Sequence, residues 1–232
     1  MPGYQTKQEC IAVAGVDELV IRSLLNREQF SDPLGTAERL GISSATWPLF
    51  GLLWPSGALL AARMATRTLR PGERILEIGC GLALASLVGH RRGADITASD
   101  SHPLTARFLS ANLRLNHLPP MKYRHGAWAH VDAPLRTGVR PNSAVHGRYE
   151  LIIGSDVLYD RDASAALAGF IQRHAAPGAE VWIVDPDRSN RPAFTRRLAA
   201  FGFDLVDLRL DHAALGGVPA YKGRLLTYSR VA

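Results

Sequence analysis

The sequence predicts an α/β fold: a doubly wound, mostly parallel β-sheet whose final two strands form an antiparallel hairpin. Between residues 74 and 201, short apolar runs alternate with amphipathic segments, which is typical of a parallel sheet covered by helices on both faces. Two further strand-like runs follow, with no helical pattern between them. The chain has 232 residues, of which 47% are hydrophobic and 21% charged, so it can bury a sizeable core within one domain.

The first 50 residues are predicted to form an extension that packs on the main domain. Residues 10–15 and 19–24 are apolar, β-leaning runs separated by a short polar turn, and this pattern predicts an N-terminal β-hairpin. The stretch 26–50 is polar, rich in turn-forming residues and without clear periodicity. The predicted domains are therefore 1–50, a hairpin and loop, and 51–232, the α/β domain.

The elements of the main domain follow from the same alternation. In chain order it predicts helix 57–69, strand 74–78, helix 82–91, strand 94–99, helix 103–116, strand 121–127, strand 149–154, helix 163–174, strand 180–184, helix 191–201 and strands 203–210 and 223–229. The segment 128–149 is the least structured insert. Because only a loop joins the last two strands, we expect them to run antiparallel.

The basic charge of the chain leaves two interpretations open. The formal net charge is +6 and the pI about 9.7, and only three of the 27 basic residues are lysines, so 24 are arginines. They are scattered, and the densest groups are pairs such as Arg91-Arg92 rather than a run of five or more like charges. The excess arginine is either a solvated surface or a means of attracting an acidic partner, such as nucleic acid or an acidic protein.

The sequence predicts neither export nor a membrane span. Residues 1–20 lack the basic region and continuous apolar stretch of a signal peptide. The apolar run 49–60 is interrupted by two glycines, a proline and a serine, and falls short of the ~20 apolar residues that cross a bilayer. The cysteines are Cys10 and Cys80, too few for a disulfide scaffold. We therefore expect a cytoplasmic protein with reduced thiols and no membrane contact.

The strongest functional signal is the tract Ile-Leu-Glu-Ile-Gly-Cys-Gly-Leu-Ala at 75–83. A strand ends there, Gly79 and Gly81 permit a tight turn and close approach of the backbone to a ligand, and a helix begins. The next predicted strand leads to Asp100, whose carboxylate can accept hydrogen bonds from both hydroxyls of a ribose. This arrangement is the nucleotide-binding plan of a Rossmann-like sheet.

Glu77 indicates which nucleotide-type cofactor the turn would take. Turns that bind dinucleotides place a third glycine where this chain has Leu84. A carboxylate two residues before Gly79 would repel a pyrophosphate, whereas it suits a cofactor that carries a cationic amine or sulfonium and no phosphate. Together, Glu77, the two glycines and Asp100 predict S-adenosylmethionine as the cofactor.

A second signal lies at 151–160, after the fourth predicted strand of the main domain. This run brings Asp156 and Tyr159 to the carboxyl edge of the sheet, where ligands bind in open α/β folds. Asp156 would orient an amine substrate or compensate its charge, and Tyr159 would offer an aromatic face to a protonated or methylated nitrogen. The alternative is structural: Asp156 caps the next helix and Tyr159 packs on it.

With these tracts the chain resembles the class I, seven-stranded, S-adenosylmethionine-dependent methyltransferases. Within that class it resembles the protein-lysine methyltransferases of family 16 and the bacterial proteins labelled nicotinamide N-methyltransferase-like. The resemblance covers roughly residues 50–230 and is carried by Leu53-Trp54-Pro55, the turn 77–81, Asp100, Asn112, Asn116, Trp128, Asp156-Val-Leu-Tyr159 and Asp185-Pro-Asp-Arg188. The chain departs from the family pattern at Ala83, Ala127 and Asp187, which stand where a glycine, an acidic residue and a glycine are usual.

The resemblance implies a cofactor site and a catalytic pair. The implied cofactor-binding residues are Trp54, Glu77, Gly79, Cys80, Gly81, Asp100, Ser101, Trp128 and Ser155. Asp100 would hold the ribose and Trp128 would lie beside the adenine. Asp156 and Tyr159 would act at the transferable methyl group.

The remaining candidates carry weaker signals. Asp185 and Arg188 are candidate substrate-binding residues, although Arg188 can equally well pair only with Asp185 or Asp187. Three residues of a loop-like segment, His125, His130 and Asp132, lack the convergent geometry of a metal site, so we expect no metal. Trp47 and Trp182 are expected in the core.

The function implied by the resemblance is N-methylation by one in-line displacement, with S-adenosylhomocysteine as the product. The expected acceptor is a lysine or N-terminal amine of another protein, and the alternatives are a small-molecule amine or a binding module without catalysis. Methylation of nucleic acid ranks lower, because enzymes that methylate exocyclic base amines usually have two prolines where this chain has Val157 and Leu158.

Overall fold

A computed structural model describes residues 3–128, 144–159, 161–214 and 220–231 of the chain. The strands are β1 Thr6–Ile11, β2 Leu19–Leu24, β3 Arg74–Ile78, β4 Asp95–Asp100, β5 Lys122–His125, β6 Tyr149–Ser155, β7 Ala175–Asp185, β8 Asp204–Arg209 and β9 Arg224–Ser229. The helices are α1 Thr36–Arg39, α2 Pro55–Thr66, α3 Leu84–Arg91, α4 Thr105–Leu115, α5 Arg161–His174 and α6 Arg191–Ala200, with a 3₁₀ helix over Trp47–Gly51.

Within these described residues, seven strands form the main sheet in the order β5-β4-β3-β6-β7-β9-β8. Neighbours from β5 to β7 run parallel, whereas β9 is antiparallel to both β7 and β8. β1 and β2 form a separate antiparallel pair. The predicted α/β class, the mostly parallel sheet, the antiparallel final hairpin and the N-terminal hairpin are all confirmed.

The strand order reverses between β3 and β6, and this reversal positions the site. From β3 the chain moves outward to β4 and β5, then returns to β6 on the other side of β3 and continues to β7. Ile78 at the end of β3 lies opposite Gly154 of β6. At such a switch point the connections leave in opposite directions, so a crevice opens at the carboxyl ends of the two central strands.

Several element boundaries differ from those predicted. β7 begins at Ala175, five residues before the predicted start, because Pro177-Gly178 indicated a turn but lies within the strand, near an irregular register with β6. α3 begins at Leu84 rather than at residue 82, since Gly81 and Ala83 have positive φ angles that a right-handed helix cannot contain.

The N-terminal extension also differs in detail. β1 spans Thr6–Ile11, earlier than the predicted 10–15, because most of its side chains are exposed or half-exposed and it carries little apolar signal. The stretch predicted to lack periodicity, 26–50, contains α1 and most of the 3₁₀ helix. The insert predicted over 128–149 falls largely outside the described residues. The division of the chain at residue 50 stays a prediction.

The two faces of the sheet carry separate apolar clusters. One includes Leu60 of α2, Val88 of α3 and Phe108 of α4, and the other includes Ile171 of α5 and Phe194 of α6. Trp47 and Trp182 lie in the first cluster, which confirms that both are core residues. The predicted covering of the sheet by helices on both faces is therefore also observed.

One segment, Trp47–Thr66, is long and apolar enough by length and composition to cross a membrane, with a mean hydropathy of 1.2. It consists of the 3₁₀ helix and α2, separated at Trp54, which has an extended backbone. Leu60 and Met64 of this segment are fully buried against the rest of the protein. Core helices of proteins pass the same length and composition test, and 39% of this segment is buried inside the protein.

The N-terminal hairpin is attached to α4 by two asparagines. The Asn116 side chain accepts a hydrogen bond from the Val20 N–H at 2.9 Å and donates to the Val20 carbonyl at 2.8 Å. Asn112 accepts from the Arg22 N–H at 2.8 Å. Here Asn112 and Asn116, which carried part of the family resemblance, bind backbone groups of β2.

Candidate functional site

The carboxyl edge of the sheet carries the four acids that the sequence singled out. Glu77 lies near the end of β3, Asp100 ends β4, Asp156 follows β6 and Asp185 ends β7. Because these strands run parallel, their carboxyl ends meet at one edge. The acids therefore lie at the edge of the sheet where the strand order reverses.

The turn after β3 approaches its neighbours so closely that glycine is required at two positions. Gly79 and Gly81 have φ angles of 57° and 50°. A Cβ at Gly79 would lie 2.9 Å from Val157 Cγ1 and 3.2 Å from Trp128 Cζ2. A Cβ at Gly81 would lie 2.9 Å from the carbonyl oxygen of Phe50. The turn is thus enclosed by the 3₁₀ helix, the start of the β6–α5 loop and Trp128.

Ala83 occupies the third glycine position of the turn and has a left-handed backbone there. Its φ angle is 60°, a left-handed conformation that costs an alanine about 1–2 kcal/mol. The Ala83 N–H donates to the Cys80 carbonyl at 2.6 Å, and the Cys80 N–H donates to the Ser99 carbonyl at 3.0 Å. Burial raises the pKa of the Cys80 thiol well above its usual range. Cys80 therefore takes part in the turn through its backbone.

Asp100 is buried and fixed by two backbone amides. Its Oδ2 accepts from the Gly81 N–H at 2.9 Å, and its Oδ1 accepts from the His102 N–H at 2.8 Å. Burial raises the pKa of Asp100. An ionised carboxylate has about four acceptor positions, so both oxygens keep the capacity to accept from a diol. Ser101, the next predicted contact, is exposed beside it.

Glu77 holds the start of α3 in place. Its carboxylate is 3% exposed, and Oε2 accepts hydrogen bonds from the N–H, at 2.8 Å, and the hydroxyl of Ser86 in the first turn of α3. The positive end of the helix dipole favours a negative charge at that place. Even so, burial raises the pKa of Glu77 to about 7. Its predicted position opposite a cationic amine stays a prediction.

We expect Glu77→Gln to remove the part of the pH dependence of the unfolding free energy that comes from the titration of Glu77. Because the pKa is about 7 in the folded chain and about 4.5 unfolded, the folded state holds an additional proton between these values. The contribution of Glu77 to stability is therefore full below about pH 4.5 and falls as the pH rises to about 7, by up to about 1.4 kcal/mol per pH unit. Glutamine keeps the acceptor oxygen for Ser86 without the charge.

Urea unfolding at pH 5 and pH 8 measures this difference. The free energy of unfolding of Glu77→Gln, relative to the unsubstituted protein, should rise between the two pH values. A relative free energy that stays constant or falls would contradict the assignment.

Sequence reasoning missed a stacked ring pair beside Asp100. Phe50 of the 3₁₀ helix and His102 stack with centroids 3.7 Å apart and planes 10° apart. His102 Nδ1 accepts from the Leu104 N–H at 3.2 Å, and burial lowers the pKa of His102 to about 3, so the ring is neutral. The apolar run at 47–50 inside an otherwise polar stretch was the available signal.

The residues after β6 lie at the same edge of the sheet, next to the end of β7. Ser155 ends the strand, and the Asp156 N–H donates to the Val184 carbonyl at 3.0 Å. Asp156 lies five residues before α5, too far to cap it, and its carboxylate contacts Arg188 instead. The side chain of Tyr159 is 51% exposed. Asp156 therefore does not cap α5, which was the structural alternative to a functional role.

Arg188 pairs with the acid at the end of β6. Its Nη2 donates to Asp156 Oδ1 at 2.8 Å, its backbone N–H donates to Asp185 Oδ1 at 2.7 Å, and its Nε lies 3.9 Å from Asp185 Oδ2. The sequence had offered Asp185 and Asp187 as partners. The structure brings Arg188 to Asp156 and Asp185.

Asp187 has other partners. It pairs with Arg191, Arg224 and Arg209 at 3.1, 3.0 and 3.2 Å. Its φ angle of 63° is one that glycine adopts easily. Aspartate at this family glycine position thus keeps the left-handed turn and binds three arginines.

The start of α2 and residues 221–223 meet next to the end of β7. Trp54, which precedes α2, donates from Nε1 to the Leu49 carbonyl at 3.0 Å. The hydroxyls of Ser56 and Tyr221 are 2.9 Å apart and buried, and burial raises the pKa of Tyr221 to about 12. A Cβ at Gly223 would lie 2.5 Å from the Tyr221 hydroxyl and 2.6 Å from the carbonyl oxygen of Asp185. Sequence reasoning had singled out neither Ser56 nor Tyr221.

Metal ligands do not converge in the described part of the chain, where no group of three His, Cys, Asp or Glu residues could hold an ion. His125 lies near Asp100, and burial lowers its pKa. His130 and Asp132, weighed above as metal ligands, lie outside the described residues.

Comparison with known proteins identifies related sequences and folds. A family model described as a methyltransferase domain matches residues 57–208. Electron transfer flavoprotein beta subunit lysine methyltransferase of Danio rerio is 27% identical over 145 residues, which cover 61% of this chain and 51% of that protein. Protein N-lysine methyltransferase METTL21A of Danio rerio is 27% identical over 176 residues, covering 74% of this chain and 77% of that protein.

Solved structures share the fold. A methyltransferase from Pyrococcus furiosus superposes with a TM-score of 0.54 at 17% identity, covering 73% of this chain and 81% of that one. The chain spans about half the length of the flavoprotein-directed relatives.

Proposed function

This chain belongs to the methyltransferase domain family, and on that premise we propose that it is an S-adenosylmethionine-dependent N-methyltransferase that acts on a lysine side chain or N-terminal amine of another protein. The family assignment agrees with the resemblance found in the sequence. The choice of a protein amine is supported by the names of the relatives, two kinds of protein-lysine methyltransferase. A small-molecule amine remains the second candidate.

The residues at the crevice fit S-adenosylmethionine. The turn at Gly79 and Gly81 has the left-handed backbone and the close packing that only glycine allows, and Asp100 presents a fixed, buried carboxylate beside it. Trp128 borders the same turn. When bound, this cofactor supplies a methyl group on a positively charged sulfur. The turn would hold the methionine part and Asp100 the ribose hydroxyls.

The acceptor amine would be held by the residues after β6. A lysine amine has a pKa of about 10.4 in water, so it must lose its proton before it can attack. Removing it from water lowers that pKa, so that the ammonium can release its proton to solvent. The Asp156 carboxylate would then orient the neutral amine and offset the positive charge that develops on the nitrogen as its new N–C bond forms. Holding the reacting atoms at ~3–3.5 Å in line is worth about 7–11 kcal/mol of the barrier. Positioning by the chain's own residues thus supplies much of the catalysis.

One observation carries the proposal. Asp100 and Asp156 flank the Gly79–Gly81 turn at the switch point, where Ile78 of β3 lies opposite Gly154 of β6. A carboxylate for a ribose and a carboxylate for an amine thus meet across one crevice.

We also propose a cytoplasmic location, since the free cysteines Cys10 and Cys80 are typical of a reducing compartment.

Two experiments test this function in order. Calorimetry with S-adenosylmethionine and S-adenosylhomocysteine should show binding, and no binding at millimolar concentration would contradict the proposal. Radiolabelled cofactor is then added with the enzyme to a lysate of cells that lack the gene. Label in one protein band is the expected result. Label only in the small-molecule fraction would favour the second candidate, and label in nucleic acid would overturn both.

We expect Asp156→Asn to lower kcat about 100-fold, the scale of a misplaced reacting group, while the Kd for the cofactor changes less than threefold. The amide keeps the shape of the side chain but cannot offset a cationic amine. Calorimetry and initial rates separate the two effects.

The matched control for this variant is Asp95→Asn. Asp95 starts β4 at the opposite edge of the sheet and pairs with Lys122 at 2.6 Å in solvent. Its substitution should leave both constants unchanged. Equal turnover in Asp156→Asn and Asp95→Asn would show that Asp156 has no catalytic role.

A further inference from the structure

The pairing of Arg188 with two acids points to a subsite for a cation. We propose that Asp156 and Asp185 form a binding site for the cationic side chain of the acceptor, and that the Arg188 guanidinium occupies this site until the acceptor displaces it. The inference rests on the proposed function, because it concerns the acceptor side of the same crevice.

The hydrogen bonds of this cluster are incomplete. The Arg188 side chain makes one hydrogen bond to Asp156, and its Nε lies 3.9 Å from Asp185, beyond hydrogen-bond distance. Within the described residues, Asp156 Oδ2, Asp185 Oδ2 and Arg188 Nε are buried and have no hydrogen-bond partner. Buried polar atoms are rarely left unpaired, since each such atom is costly. The two carboxylate oxygens are therefore free to accept from a further donor.

The buried acid of the cluster is Asp185. Its side chain is fully buried, and burial raises its pKa. The charges of Arg188 and Arg191 act in the opposite direction on that pKa, but Arg191 forms its ion pair with Asp187, at 3.1 Å. A further cation at this place would pair the unpartnered oxygens of Asp156 and Asp185.

Arg188 is the partner that can move. Its side chain is 31% exposed, against 13% for Asp156 and none for Asp185. The carboxylates belong to residues fixed by the sheet, since Asp185 ends β7 and the Asp156 N–H binds the Val184 carbonyl. The Arg188 backbone is held separately through its N–H on Asp185. The guanidinium can therefore turn out to solvent while the loop stays in place.

The ligand chemistry is that of a cationic alkyl side chain. A lysine ammonium and an arginine guanidinium both donate hydrogen bonds to carboxylates, and the seated group in this structure is itself a guanidinium. In either case the acceptor must first displace Arg188, which lowers its apparent affinity by the fraction of molecules in which the site is vacant. Removing the arginine should therefore strengthen binding of such a cation, whereas removing an ordinary structural ion pair should not.

Binding of side-chain mimics tests this inference on protein saturated with S-adenosylhomocysteine. The probes are n-butylammonium for lysine and n-propylguanidinium for arginine, with neutral 1-pentanol as the uncharged control, and affinities are measured by ligand-observed NMR. We expect Arg188→Ala to bind at least one cation about tenfold more tightly than the unsubstituted protein, with no gain for 1-pentanol. The probe that gains more identifies the acceptor as lysine or arginine.

A matched arginine variant controls for the general loss of positive charge. Arg74 starts β3 at the opposite edge of the sheet and pairs with Glu150 at 3.2 Å, so Arg74→Ala should leave both affinities unchanged. Unchanged or weaker cation binding in Arg188→Ala, or an equal gain in Arg74→Ala, would overturn the inference.

Folding and the proposed function are checked separately. Arg188→Gln, which keeps an N–H donor near Asp156 and loses the charge, replaces Arg188→Ala if that variant does not fold, and the same gain is expected. If the unsubstituted protein binds no S-adenosylhomocysteine, the proposed function fails. If it binds the cofactor product but Arg188→Ala and Arg188→Gln show no gain, the inference fails and the proposed function stands.

Discussion

The Gly81→Ala variant is expected to lose about 2–5 kcal/mol of unfolding free energy and to bind no S-adenosylmethionine at concentrations that saturate the unsubstituted protein. Two costs add. The left-handed backbone costs an alanine about 1–2 kcal/mol, and overpacking in a rigid environment costs about 1–3 kcal/mol more. Here the new methyl group would meet the backbone carbonyl of Phe50 at 2.9 Å, and a backbone atom cannot rotate away. Any shift of the turn also disturbs the hydrogen bond from Gly81 to Asp100.

Gly72→Ala provides a matched control for this variant. Gly72 has a φ angle of 74°, and a Cβ there would meet no atom within 4 Å. It therefore carries the backbone cost alone, about 1–2 kcal/mol, and should leave cofactor binding unchanged. Urea unfolding and calorimetry compare the two variants. Equal losses of stability, or full cofactor affinity in Gly81→Ala, would show that the contact with Phe50 is unimportant.

The second large effect is expected for Asp100→Ala, which should weaken cofactor binding by at least 100-fold. It removes the carboxylate that would bind the ribose and leaves the N–H groups of Gly81 and His102 without their acceptor. Each of these two buried unpaired groups costs about 1–3 kcal/mol, so stability should fall by about 2–6 kcal/mol. If this variant does not fold, Asp100→Asn keeps the side-chain shape and one acceptor oxygen for the two N–H groups, and the affinity is measured on that variant.

Asp32→Ala controls for the loss of a carboxylate that binds two amides. Asp32 accepts from the N–H groups of Thr36 and Glu38 at 2.8 and 2.9 Å, in the N-terminal extension. Its loss should lower stability modestly without changing the cofactor Kd. Equal cofactor affinity for Asp100→Ala and the unsubstituted protein, measured by calorimetry, would show that Asp100 does not bind the cofactor.

The sequence predicted the sheet because its signals are local. Apolar runs followed by helical periodicity identify β3 to α6, and the acids that end these strands can be assigned to one edge once the strands are parallel. One exception is the start of β7, where a Pro-Gly pair that usually marks a turn lies within the strand, near an irregular register. The Pro177-Gly178 pair indicated a turn, but the strand continues through both residues.

The partners of the site residues could not be predicted, because they come from distant parts of the chain. The Ser56–Tyr221 hydrogen bond joins residues 165 positions apart, and the Arg188–Asp156 pair joins residues 32 apart. No spacing rule connects such pairs. The Glu77–Ser86 contact lies closer, nine residues apart, but it depends on where α3 begins. The left-handed Ala83, which sets that start, stands where the family pattern has glycine.

The asparagines that hold β2 have a consequence for self-association. An unpaired strand edge presents N–H and C=O groups that can recruit a strand from another molecule and seed aggregation. Residues i and i+4 of a helix are about 6 Å apart along its axis, close to the ~6.6 Å between alternate residues of a strand. The spacing of Asn112 and Asn116 on α4 therefore matches the spacing of Arg22 and Val20 on β2. Their side-chain amides form hydrogen bonds with the backbone N–H and C=O groups that a third strand would use. One face of α4 thus covers the edge of β2 that could otherwise pair with a strand of another molecule.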